Sequence, residues 1–211
     1  MKITDYFVKQ KSEMAQAFNK PAHYPIGIKN PNDFPTFFNR EFEFKFDPNV
    51  RNNNAFIRYS TELDQIEYWV HINYTGYRKS YFRHLEENFN ISSEEFTSDW
   101  HADHMLGRSF AKKFGVEYVR MCLLHKDQNT SYGRKFEKNL LKKNHKKRNI
   151  FLMNYLCAMK VLDIKIPLNN HEYEERKNEI VQSLISEGVV FHDQRGGGHS
   201  LDQYFRCWEI I

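Results

Sequence analysis

A chain of 211 residues, 40% hydrophobic and 16% aromatic, is long and apolar enough to bury a core without disulfide staples, and its composition is that of a globular and not a disordered protein. No apolar run approaches the roughly 20 residues that cross a bilayer. The N-terminal MKITDYFVKQKSEMAQ lacks an apolar signal core, and Cys122, Cys157 and Cys207 form no CxxC pair, so a cytoplasmic protein with reduced thiols and no membrane partner is expected. The net charge of +4 is uneven: residues 101–150 hold 13 Lys/Arg against 4 Asp/Glu, a local +9, which leaves −5 for the rest.

Residues 1–20 read as a helix, with Phe7, Met14 and Phe18 on loosely helical spacing. Within it, Ile3, Tyr6 and Phe7 resemble the short peptides by which replication proteins grip a sliding clamp; they fit the start of an amphipathic helix equally, and the glutamine expected before the isoleucine has no place. PAHYPIGIKNPNDFP carries four of the six prolines and reads as an irregular loop. EFEFKF alternates charged residues with Phe, the pattern of a half-buried strand, and AFIRYS and IEYWVHINY supply two more. SYFRHLEENF at 80–89 fits a short helix capped by Ser80.

SDWHADHMLGRSF follows, then SFAKKFG as a short helix stopped by Gly115 and VEYVRMCLL as a strand. HKDQNTSYG reads as a polar loop. From Arg134 to Leu162 the pattern is helical, with a break near Asn144 or Asn149. EYEERKNEIVQSLISEG is an amphipathic helix ended by Gly188, VVF a final strand, and RGGGHS a glycine-rich surface loop. The class is α+β: an antiparallel sheet in the N-terminal half, a strand, loop and basic helix in the middle, and a helix with short strands at the C-terminus. The chain divides into a region 1–97 of unassigned role and a nucleic-acid region 98–211, or forms one domain.

A metal-dependent phosphodiesterase needs a base for water, oxygen or imidazole ligands for a cation, and positive charge for the phosphate. Asp103 and His104 are neighbours, so in an extended segment they point to opposite faces, and His101 shares the face of Asp103. Arg108 fits either a bidentate phosphate clamp or a salt bridge to Asp99 or Asp103. Arg134, Lys135, Lys138, Lys142, Lys143, Lys146, Lys147 and Arg148 run around most of the predicted helix, more than solubility requires, and suit a phosphate backbone. The same cations could instead pair with the acidic EYEERKNE.

WHADH, the strand VEYVRMCLL, the loop HKDQNTSYG and the helix RKFEKNLL together resemble the ββα-metal nucleases of the HNH class, over residues 100–145 only. The resemblance implies Asp103 as a metal ligand, His104 as the general base and Asn129 as the residue that orients it. It also implies a helix residue to complete the shell, for which Glu137 is the candidate, with His101 as a further ligand. The cofactor would be a divalent ion, Mg²⁺ or alternatively Mn²⁺ or Zn²⁺, and the activity hydrolysis of DNA or RNA, as in a toxin or defence nuclease. The sequence departs from the family in offering no His or Asn near the helix start, no paired CxxC, and a seven-residue insertion, SFAKKFG, in the hairpin. The rival is a non-enzymatic nucleic-acid-binding or adaptor (immunity-type) protein whose basic 134–148 segment holds nucleic acid or an acidic protein partner.

Overall fold

A computed structural model describes residues 1–19, 25–34, 42–61, 64–129, 147–167, 169–191 and 201–202. The architecture is α+β, a curled antiparallel sheet with helices packed on it. In chain order the elements are α1 (Ile3–Asn19), β1 (Pro25–Ile28), β2 (Glu43–Phe46), β3 (Ala55–Ser60), β4 (Gln65–His71), α2 (Tyr77–Phe89), β5 (Trp100–His104), α3 (Arg108–Phe114), β6 (Tyr118–His125), β7 (Ile150–Leu152), α4 (Tyr155–Val161) and α5 (Asn170–Ser186). The strand order is β2-β3-β4-β6-β1-β7, and β5 pairs with β6 outside that path. β6 is thus the hub, bonded to β1, β4 and β5.

Alternation along β6 explains why it can be the hub. Met121 and Leu123 face a core shared with Tyr68, Val70 of β4 and Tyr81, Leu85 of α2, while Cys122 and Leu124 face a second core with Phe110, Phe114, Leu156 and Met159. A strand buried on both faces reads as a continuous apolar run, which is how VRMCLL appears in the sequence. α1 contributes to both cores, Ile3 and Tyr6 to the first and Met14 and Ala15 to the second. Its Gln10 is buried, and its amide accepts from Leu123 N at 2.8 Å and donates to Leu123 O at 2.9 Å, as a neighbouring strand would. Burial of Ile3 and Tyr6 removes the clamp-peptide reading of the N-terminus.

Several boundaries differ from expectation for identifiable reasons. The proline-rich loop contains β1, because Ile26 and Ile28 are wholly enclosed and Pro25 stands at the strand's first position, where no N–H is required. α2 begins at Tyr77 rather than at Ser80, whose hydroxyl donates to Tyr77 O inside the helix. The helix expected from Arg134 to Leu162 instead yields a strand at 150–152, paired with β1, and α4, whose N-cap Asn154 accepts from Cys157 N at 3.0 Å. Residues 126–129 form a helical turn in place of a loop, and 189–191 form no strand. Among the described residues β2 lies at the sheet's edge with Phe44 and Phe46 each 37% exposed, so it is more open than half-buried. The stops at Gly115 (φ 79°) and Gly188 (φ 92°) stand, since both adopt the left-handed conformation that glycine takes without strain. Cys122 and Cys157 are buried as thiols. No described helix is long and apolar enough to cross a membrane.

Candidate active site

HADH is the body of β5, registered on β6 with Asp103 opposite Cys122 and His104 opposite Met121. Consecutive side chains therefore diverge. His104 packs against α2, its ring 4.4 Å from that of Tyr77, whereas Asp103 meets α4. The Lys160 ammonium, on a residue only 2% exposed, lies 2.6 Å from the Asp103 carboxylate and donates to His104 O at 2.7 Å. One cation thus neutralises the acid and fixes the end of the strand. Burial pushes the Asp103 carboxyl up, but the Lys160 ammonium and the His104 ring outweigh it and hold it well below the usual carboxylate range. Cys122, directly opposite, donates its thiol to Asp103 O at 3.6 Å, and burial pushes it up to about 12, so it is an inert thiol.

His104 is 3% exposed, and its Nε2 has no hydrogen-bond partner among the described residues. Burial lowers its pKa against the pull of Asp103, 3.9 Å away, and the ring is neutral at pH 7. His101, on the opposite face, is only partly covered. Asn129 comes to this residue: its Nδ2 lies 2.8 Å from His101 Nδ1. Burial lowers the His101 pKa, helped by Arg78, Lys126 and His125 and opposed by Asp103. His101 is thus a neutral imidazole, oriented by an amide, among cations.

The predicted residues therefore separate. His101, Asp103 and Asn129 share one side of β5, while His104 is enclosed on the other, and Asn129 orients His101 instead of His104. Arg108 opens α3 on the surface, its guanidinium 5.4 Å from the Tyr77 ring centre, with no ion pair to Asp99 or Asp103 among the described residues. Arg134, Lys135, Glu137, Lys138, Lys142, Lys143 and Lys146 lie outside the described residues, as does RGGGHS. Lys147 and Arg148 are exposed and non-helical, which corrects the end of the predicted basic helix. They sit at the C-terminal end of α3 near Lys112 and Lys113: Arg148 N donates to Phe114 O at 2.8 Å, and Lys147 packs on Gly115. Four cations gather there.

The described residues do not fit a divalent metal. Among them no three His, Cys, Asp or Glu side chains converge, and the one carboxylate of the motif is held by an ammonium. Lys160 is not among the site residues expected from the sequence. Its signal was a single lysine within the apolar YLCAMKVL, which in a buried helix calls for an acidic partner. Nor is Arg78 expected there, whose guanidinium donates to Trp100 O at 3.1 Å.

No family model, no curated protein and no solved structure matches the chain.

Proposed function

We propose that the protein binds a nucleic-acid backbone through its basic segment 108–148 and hydrolyses a phosphodiester on the His101 side of β5. The observation that carries this reading is the hydrogen bond between the Asn129 amide and His101 Nδ1, which orients a neutral, partly accessible imidazole. In this scheme the Asn129 amide presents its oxygen to His101 Nδ1–H, so that Nε2 is free to accept a proton from water; the hydroxide attacks phosphorus, and the leaving P–O bond breaks with its oxygen protonated from solvent. Arg78 and Lys126 supply the positive surroundings that favour an anionic phosphate. Lys160 keeps Asp103 ionised and fixed, and His104 has a packing role.

Full-length protein incubated with labelled single-stranded DNA, duplex DNA and RNA, in chelator and with Mg²⁺, Mn²⁺ or Zn²⁺, tests the scheme. His101→Ala is expected to lower cleavage by about 10²–10⁴-fold while leaving binding intact. Binding itself should weaken steeply as salt rises, because phosphate contacts release counterions. Absence of cleavage under every condition ends the enzymatic reading. A non-catalytic binder is then the alternative, favoured by the engagement of Asp103 with Lys160, which removes the motif's carboxylate from metal binding. Salt-insensitive binding would point away from nucleic acid altogether, toward an acidic protein partner.

A further inference from the structure

Among the described residues β2 is an edge strand, paired on one side only. Asp47 N donates to Ala55 O at 3.0 Å, continuing the β2–β3 ladder. By alternation Glu43 and Lys45 direct their backbone groups at β3, while those of Phe42, Phe44 and Phe46 point away from the sheet. The unpaired edge therefore carries the phenylalanine backbone. Phe44 and Phe46 extend an aromatic surface on Phe56, with centroids 5.7 and 6.3 Å from it. Such an edge, alternating and without proline, is a template for another strand.

We infer that the occupant is a second copy of this chain, joined antiparallel edge to edge about a two-fold axis at Phe44. A two-fold pairing sets one residue opposite itself, so the strand offers registers centred on each residue from Phe42 to Phe46, and centring on Glu43 or Lys45 sets that charge against its own copy. Centring on Phe42 sets neither Glu43 nor Lys45 opposite the other or opposite any described residue. Centring on Phe46 sets Lys45 against Asp47, whose carboxylate is buried and held by Tyr68 Oη at 2.5 Å and Arg83 at 2.7 Å. Centring on Phe44 sets Glu43 against the copy's Lys45 twice, in the pairs whose side chains approach closest. Phe42 then bonds across to Phe46, and the two aromatic rows join. Charge complementarity thus selects one register of one self-pairing.

Sedimentation velocity of the full chain across a dilution series tests this. The wild type is expected to dimerise. Glu43→Lys or Lys45→Glu alone should weaken association by about tenfold, since each replaces two attractive pairs with two repulsive ones. The double swap, Glu43→Lys with Lys45→Glu, should restore it, because the pairs are again opposite in sign. Phe44→Pro should give a folded monomer: its N–H faces solvent, so the edge strand tolerates proline while the dimer loses its central bonds. A wild type that is monomeric throughout overturns the inference. So does a dimer indifferent to Phe44→Pro, or one that the double swap fails to rescue while circular dichroism reports a native fold.

Discussion

Two carboxylates in this molecule are each neutralised by buried cations, and they differ in one respect that separates architecture from a site. Glu67, on β4, has a side chain 1% exposed and lies 3.0 Å from Arg58, 3.3 Å from Arg120 and 2.9 Å from the Trp69 indole nitrogen. Those partners come from β3, β6 and its own strand, so Glu67 ties together the middle of the sheet. Asp103 has its ammonium at 2.6 Å, but its side chain is 22% exposed and opens on the side where His101 titrates. A fully enclosed charge cluster fixes geometry. A partly open one beside a neutral, accessible imidazole can also meet a substrate.

The contrast is broken most forcefully at Glu67. Glu67→Ala leaves two guanidinium groups buried without their carboxylate, and chemical denaturation should report a loss of about 3–5 kcal/mol. Lys160→Met is expected to cost less, about 2–3 kcal/mol, because the stranded Asp103 retains contact with solvent. Adding Asp103→Asn to Lys160→Met should recover part of that loss, and additivity of the two changes would mean that the pair is not coupled.

Acid provides a smaller perturbation. Burial lowers the pKa of His84, on α2, to about 3, and that of His104 below its usual 6.5. The unfolded chain then binds protons that the folded one does not, so stability is full above about pH 6.5 and falls as pH drops. His84 alone should account for about 2 kcal/mol between pH 7 and pH 5, and His84→Leu should flatten that slope in a pH series of denaturation curves. Smallest of all on stability is His101→Ala, expected within about 0.5 kcal/mol. A large loss there would make His101 another architectural residue and would remove the reason to place chemistry beside it.

How much of this was legible in the chain depends on the range of the deciding interaction. Strong local patterns transferred well: AFIRYS, IEYWVH and YVRMCLLH are strands, and NHEYEERKNEIVQSLIS is a helix, because alternation and 3.6-residue periodicity are local. PIGI was misread, since proline suggests a loop until two neighbouring strands enclose Ile26 and Ile28. IFLMNYLCAMKV was read as one continuous helical pattern, although Asn154 caps a helix within it and the residues before the cap pair with β1. In the candidate site, the alternation of HADH correctly set Asp103 and His104 on opposite faces. Which histidine Asn129 would meet depended on the register of β5 against β6, and a one-residue slip exchanges the two faces.

By itself the sequence determined the α+β class, the strands that form the middle of the sheet, the left-handed stops at Gly115 and Gly188, and the concentration of positive charge in residues 101–150. These follow from side-chain volume, periodicity, backbone freedom and composition, all of which act within a few residues. Only the tertiary structure decided that Lys160, more than fifty residues away in the chain, would neutralise Asp103, that His101 and not His104 would receive Asn129, and that β2 would stand at an edge. Each depends on which elements pack against which, and on the cost of leaving a buried charge or backbone group without a partner.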